Sequence, residues 1–489
     1  MDPRGLDWPL AEFERVLQRA ADLVIRRYEG IDTAPIFSQV TPAEVDAWFR
    51  EPVPEAGMPI DALLDAVKAK VLDTATLNIG PNMYAYVMAG GTQVSVLAEL
   101  FAAAIDQNGA KWHLGPALSA LEERVIQWGG SFIGFAPDAA GALVSGGSAA
   151  NLTGLTVARN LQLGDAVARE GLFSGPPATL YGSTEVHGCI EKCVELLGLG
   201  TGHYRRIPVD ATHRIRLAQL EAQIQADRAA GLRPFCVIGN AGTVNTGAVD
   251  PLDALADIAA RHKLWFHVDG AYGGMAAAVE ACRPKFRGLE RADSVALDFH
   301  KWLYQPFEAG CALFRDWEGL RRTYHHAAAY LATDQGGDGR RDLNEYSFQL
   351  SRNFKALKIW MTFKGYGAAR LRQAIANDIA NAAYLANRLR TAEDFELVHE
   401  PELSIVCFRY LGSAGNRNGT EPIDHLNRAL IPALEADGRV FITGTTVAGR
   451  PVIRACCINH RQRPDDLAFL LTVIRSVGEK VIKTMPAER

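Results

Sequence analysis

With 489 residues, 48% hydrophobic and 22% charged, the chain has ordinary globular composition and enough length for two or three structural units. Its formal charge of −5, with acidic and basic residues mixed along the chain, leaves no basic stripe and argues against a nucleic-acid partner. The eight cysteines are scattered with no CxxC pair, so reduced thiols in a cytoplasmic protein are expected rather than a disulfide framework, and no metal site is expected.

The N-terminus, MDPRGLDWPLAEFERV, lacks a basic start followed by an apolar run, so no signal peptide is expected. Residues 1 to about 75 read as helices: LAEFERVLQRAADLVIRRY sets apolar residues at helical spacing with charges between them. Thr41-Pro42 followed by AEVDAWF, with Glu44 at the third helical position, has the form of a capped helix start. Gly and Pro break the pattern at Glu51–Pro59 and at Gly80-Pro81. This unit is too thin to bury its own apolar faces and is expected to pack on something else, such as a partner subunit. The longest apolar stretch, Val87–Ile105, contains Gln93, Glu99 and two glycines, and reads as a buried helix, not a membrane span.

From about 90 to 320 short apolar runs alternate with helical segments. Candidate strands are Ala142–Val144, Thr179–Tyr181, Phe235–Ile238, Leu264–Val268, Ser294–Leu297 and Cys311–Phe314; candidate helices between them are Asn151–Gln162, Leu217–Ala230 and Pro251–His262. This alternation predicts a mostly parallel sheet covered on both faces, with ligands beyond the C-terminal strand ends. The Gly-rich segment Thr333–Arg341 is expected to be a mobile loop. The last third opens with the helical stretch NFKALKIWMTFKGYG and continues with shorter patterns, including LSIVCFRY and PVIRACCIN, which predict a smaller α+β domain.

Every strand end offers small or polar groups: SGGSAAN after Val144, GSTEVHG after Tyr181, GNAGTVNTG after Ile238, DGAYGG after Val268 and DFHKW after Leu297. The Ser145–Asn151 turn entering a helix would expose free N–H groups suited to a phosphate, although many such turns carry glycines with no ligand. It is not GxGxxG, so a nicotinamide-dinucleotide site is not indicated, and Ala150 replaces the last glycine of GxSxG. Asp269, directly after the apolar run LWFHV, would be a buried carboxylate in need of a partner, for which a protonated ring nitrogen is suited; the plain alternative is a cap of the following turn. Lys301, beside an aromatic after a short strand, suits a buried amine whose pKa burial lowers, against the usual solvated lysine. His187 would stack on a flat ring or be a bonded structural histidine, and Thr243 would reach the ring or be a turn residue. A phosphate turn, a histidine, a carboxylate and an amine in that order, each at a strand end, favour one joint site.

These segments resemble the group II PLP-dependent decarboxylases, the family of aromatic-L-amino-acid and glutamate decarboxylases. QNGAKWHLGPALSALE, SGGSAANLTGL, STEVHGCIEK, FHVDGAYGG, DFHKWL and SRNFKALKIW stand in family order, and VIRACCINHR resembles the family's C-terminal strand; the similarity runs from about Pro81 to His460. The resemblance implies an α/β, type I aspartate-aminotransferase-like fold: an N-terminal helical dimerisation segment (1–85), a large cofactor domain (86–360) and a small C-terminal domain (361–489). It implies pyridoxal 5′-phosphate (PLP) as cofactor and a homodimer with sites at the subunit interface. Lys301 matches the Schiff-base lysine, Asp269 the partner of the ring nitrogen and His187 the stacking histidine. Ser148, Ala149 and Ala150 fall in the phosphate turn, His300 lies beside the cofactor, and Thr243 and Ala271 match ring contacts. Arg352 lies where relatives keep an arginine near the substrate carboxylate, though it would equally serve as a structural pair. Tyr84 and Trp112 lie in segments that line the substrate pocket in relatives, or are core aromatics.

The implied reaction is decarboxylation of an L-amino acid, aromatic by preference, to the amine and CO₂. Oxidative formation of an aldehyde, an acidic or other non-aromatic substrate, and a non-catalytic PLP-binding relative are the alternatives. Two departures bear on this. The family tyrosine that protonates the α-carbon has no clean counterpart in TDQGGDGRRDLNEYSFQLSR, where Tyr346 and the nearby Tyr330 both compete for the role, and Gly80 replaces another residue before proline.

Overall fold

A computed structural model of the chain describes residues 5–38, 40–326, 340–412 and 420–485. The candidate proton donor Tyr330 and most of the Gly-rich segment Thr333–Arg341 lie outside the described residues.

The first 75 residues are helical as expected, in α1 (Leu10–Glu29), α2 (Pro42–Phe49) and α3 (Ile60–Val67), and α4 (Gln93–Ile105) and α5 (Pro116–Ile133) follow. The capped start at Thr41 is present in both halves, since the Thr41 hydroxyl accepts from the Glu44 N–H while Glu44 accepts from the Thr41 N–H. Val16 is the one α1 side chain that is buried. Leu10, Phe13, Val24 and Ile25 stay exposed, which is the apolar surplus that the thinness of this unit anticipates. The stretch expected as a buried helix differs from that expectation. Its helical part begins at Gln93, capped by Thr92, and Leu97, Leu100, Phe101 and Ile105 are each about half exposed.

The central unit follows as β1 (Ala140–Val144), α6 (Gly147–Leu163), α7 (Ala166–Glu170), β2 (Ala178–Ser183), α8 (Cys189–Leu196), β3 (Tyr204–Ile207), α9 (Leu217–Ala229), β4 (Arg233–Asn240), α10 (Leu252–His262), β5 (Trp265–Asp269), β6 (Ser294–Asp298), α11 (Phe299–Trp302), β7 (Gly310–Phe314) and α12 (Trp317–Tyr324). The seven strands form one sheet in the order β1-β7-β6-β5-β4-β2-β3. All pairs are parallel except the two made by β7, which is antiparallel to both β1 and β6. Two reversals leave β1 parallel to β6, so the C-terminal ends of β1, β2, β4, β5 and β6 gather at one edge. β1, β2, β6 and β7 are buried at every residue, as a sheet covered on both faces requires. β3 escaped the sequence pattern because YRRI is an edge strand that buries only Tyr204 and Ile207.

The C-terminal unit comprises α13 (Lys355–Arg390), β8 (Phe395–Leu397), β9 (Ile405–Tyr410), α14 (Thr420–Asp437), β10 (Thr443–Val447), β11 (Arg450–Cys456) and α15 (Pro464–Thr484). Its four strands form an antiparallel sheet, β10-β11-β9-β8. α13 is interrupted at Gly367, whose φ of 75° is open to glycine at little cost. Packing in this unit decides between the two roles open to Tyr84. The ring is fully buried in the core among Leu385, Phe408 and Leu467, which makes it a core aromatic and not a pocket wall. No helix among the described residues is long and apolar enough to cross a membrane.

Candidate active site

The gathered strand ends enclose a cavity of about 350 Å³. Its walls include Ser145–Ala149 from the turn after β1, His187 and Cys189 before and at the start of α8, Gly242 and Val244 after β4, Asp269, Ala271 and Tyr272 from β5 and its turn, and Asp298, His300 and Lys301 from β6 and α11. Lys301 and Asp269, whose separation would have ended the case for a joint site, therefore face one space.

Backbone proximity shapes the phosphate-like turn. A Cβ on Gly310, at the start of β7, would lie 2.5 Å from Gly146 Cα, and one on Gly147 would lie 2.8 Å from both the Ala271 Cβ and Asp298 Oδ2. Only glycines allow the α6 N-terminus to nestle into the sheet here. Ser148 is exposed and Ala149 half-buried on the cavity wall. Ala150 departs from the role expected of it. It is fully buried in a neighbouring apolar cluster and its N–H already donates to the Gly146 carbonyl at 2.9 Å, so it does not face the cavity.

Asp269 is 7% exposed and accepts from the Ala271 N–H at 3.1 Å. Among the described residues no cation lies within ion-pair distance of it, which leaves a buried carboxylate facing a cavity. His187 is exposed on the wall, and the Cys189 N–H donates to its Nδ1 at 3.2 Å, which puts the proton of the neutral ring on Nε2. Behind the turn runs a chain of donors. The Trp265 indole donates to Ser294, Ser294 to His267 Nδ1, His267 Nε2 to Asn151, and Asn151 to the Cys189 sulfur. Burial lowers the His267 pKa to about 4, which keeps this ring neutral and the chain one-directional.

Lys301 departs from the expectation of a lowered pKa. Burial does pull it down, but the charge of Asp298, whose Oδ2 lies 2.9 Å from Nζ, more than compensates and the net direction is upward. Asp298, which the sequence pattern did not single out, is 2% exposed; burial pushes it up to about 6 against the pull of Lys301. His300 is lowered to about 3 by burial and by the charges of Lys301 and Lys358, and its Nδ1 accepts from the Ala309 N–H at 3.2 Å. Phe307, 60% exposed, tilts against the ring of the cavity-lining His300 at 4.6 Å. Tyr272, another lining residue that the sequence pattern did not single out, stacks on Trp302 at 5.4 Å.

Several anticipated residues are elsewhere. Thr243 is buried with its hydroxyl 3.0 Å from that of Thr246, and it does not line the cavity although Gly242 and Val244 do. Arg352 forms a buried ion pair with Glu122 and donates to the Leu143 carbonyl at 2.7 Å, the structural alternative to a substrate contact. Trp112 lies on a short 3₁₀ turn under the Arg340 guanidinium, and Tyr346 packs edge-on against Trp317 at 5.3 Å; neither reaches the cavity of its own chain. Tyr86 replaces Tyr84 as the exposed aromatic of its segment. It is 60% exposed at φ 55°, and Arg454 joins its carbonyl to that of Val244 on the cavity wall.

An amine, a carboxylate without a counter-cation, an open imidazole face and a helix N-terminus around one space fit an aldehyde-bearing, phosphorylated pyridine. Comparison with known proteins agrees. Residues 42–411 match the family model described as the pyridoxal-dependent decarboxylase conserved domain. The chain is 33% identical over 476 residues to the aromatic-L-amino-acid decarboxylase of Bacillus atrophaeus, covering 97% of each, and 28% identical over 458 residues to the phenylacetaldehyde synthase of Petunia hybrida, covering 91% of this chain and 89% of that one. Its fold matches the crystal structure of Oryza sativa TDC with PLP and tryptamine at a TM-score of 0.91 and 27% identity, covering 98% and 99% of the two chains.

Proposed function

Since the chain belongs to the pyridoxal-dependent decarboxylase family, whose fold and cofactor it shares, we propose that it converts an aromatic L-amino acid to its amine and CO₂. The observation that carries this reading is the shared cavity of Lys301, Asp269 and His187. PLP supplies a conjugated ring that accepts the electron pair left when the Cα–carboxylate bond breaks. Lys301, among the described residues the only lysine or arginine on the wall, would hold the cofactor covalently. Asp269 would hold a proton on the ring nitrogen, since that partner relieves its buried charge. His187 would cover one face of the ring, and the α6 N-terminus with Ser148 and Ala149 would hold the phosphate. His300 stays neutral across the physiological range, so its Nε2–H is a donor and not a second cation.

The names of the relatives support an aromatic side chain, and the lack of an arginine on the wall, among the described residues, disfavours an acidic one. The apolar surfaces of α1 and α4 support a homodimer, because exposed patches of this kind are ordinarily covered. One specific observation favours a second reading, formation of an aldehyde: Tyr346 stands away from the cavity of its own chain, and a phenylacetaldehyde synthase is among the relatives. Incubating the PLP-loaded enzyme with aromatic and acidic L-amino acids, and measuring CO₂, amine, aldehyde, ammonia and peroxide together, separates these outcomes. Equal CO₂ and amine from an aromatic substrate is the expected result; aldehyde with peroxide would move the reaction to the second reading, and turnover of acidic substrates alone would overturn the substrate class.

A further inference from the structure

The sheet edge holds two carboxylates, and the chemistry above uses only Asp269. Asp298, the last residue of β6, is 2% exposed and lines the same cavity. Its Oδ2 pairs with Lys301 at 2.9 Å and stands 3.5 Å from His300 Nε2, while its Oδ1 is buried with no hydrogen-bond partner. The carboxylate lies directly against the turn that would hold the phosphate. A Cβ on Gly147 would be 2.8 Å from Oδ2, and one on Gly146 would be 3.7 Å from Oδ1. The unpartnered oxygen thus faces the wall where a dianionic group is expected. Once the Lys301 nitrogen is committed to the cofactor, Asp298 loses its close counter-charge and gains an anion.

We propose that Asp298 is a further cofactor-site residue, acting as an acid: cofactor loading takes up one proton, which Asp298 holds against the Gly146-Gly147 turn beside the phosphate. This rests on the assignment of that turn to the phosphate. The other ionisable groups facing Asp298 are Lys301 and His300 from α11, Asp269 from β5 and Cys311 from β7. The Ser145–Ser148 turn presents no titratable side chain. Of these only Lys301 favours the ionised carboxylate strongly, and it is the group that loading removes. The carboxyl already titrates at about 6 with Lys301 in place, because burial raises it.

The test uses PLP itself, whose aldehyde engages Lys301, on the full chain freed of cofactor. Its Kd is measured from about pH 6 to about pH 8.5 for wild type and Asp298→Asn, with Asp298→Ser in reserve should the first variant not fold. The ratio of wild-type to variant Kd is expected to rise about tenfold per pH unit above pH ~6, since only the wild type must acquire the proton. Calorimetry at about pH 8 in two buffers of different ionisation enthalpy should show wild type taking up about one proton more per PLP bound than Asp298→Asn does. A ratio flat with pH, a variant that binds more weakly at every pH, or no excess proton uptake by wild type over the variant would overturn the role of Asp298 alone. Wild type that binds PLP at no pH, and shows no visible absorbance with it, would overturn the site assignment beneath it.

Discussion

Replacing Asp378 with asparagine should remove a pH dependence built into the support of the Lys301 segment. Asp378 lies on α13, 1% exposed, and its Oδ2 accepts from the Trp302 indole at 2.8 Å and the Tyr304 hydroxyl at 2.7 Å. Burial pushes its pKa from an ordinary 3.8 up to about 8, with the two donors pulling part of the way back. The folded state therefore keeps, between pH ~4 and pH ~8, a proton that the unfolded chain has released. A raised folded pKa means that the stabilising contribution is complete below pH ~4 and is lost as pH rises through about 8. Each pH unit inside that window removes about 1.4 kcal/mol, so raising the pH from about 5.5 to about 7.5 costs the wild type on the order of 2–3 kcal/mol from this group. The asparagine side chain of Asp378→Asn would keep a carbonyl acceptor for both donors and carry no titration. Urea unfolding of both proteins at the two pH values and one protein concentration, followed by tryptophan fluorescence, gives the double difference directly. If wild type and variant shift by the same amount within about 0.5 kcal/mol, Asp378 is not a protonated buried acid and the reasoning fails.

Three further outcomes follow from the site. Asp269→Asn, which keeps shape but removes charge, should lower kcat on the order of 10²-fold or more while the protein stays folded by circular dichroism. Arg352→Ala leaves Glu122 buried without its cation and should destabilise by about 3–5 kcal/mol in denaturant unfolding, whereas Arg352→Lys should change KM by less than about twofold because Arg352 does not line the cavity. Gly310→Ala forces a Cβ to within 2.5 Å of Gly146 Cα and should weaken PLP affinity at least about tenfold in an absorbance titration, with little change in secondary structure.

The parts of the fold written in contiguous pattern were legible. Five of the six expected strands lie inside observed ones, and Leu264–Val268 is displaced from β5 by a single residue at each end. The Thr41 cap is visible because its chemistry is local, spanning four residues. The direction of β7 was not legible, since an apolar run such as CALF reads alike in either direction. Site residues divide in the same way. Lys301, Asp269, His187 and the Ser148-Ala149 turn end strands and carry unusual chemistry, and the structure gathers them. Tyr84, Arg352, Tyr346 and Thr243 depend on which way a side chain turns, and each turns to a packing or hydrogen-bond partner. Asp298 was in view within DFHKW; the signal that would have found it is spacing, because a residue three before the lysine on a tight helical turn can reach its amine.

The most direct test is where the cofactor attaches. Borohydride reduction of the PLP-loaded enzyme, followed by proteolysis and mass spectrometry, should place the pyridoxyl adduct on Lys301 at one per chain. An adduct on any other lysine, or none in protein that still turns over substrate, would contradict the assignment of this cavity as the catalytic site.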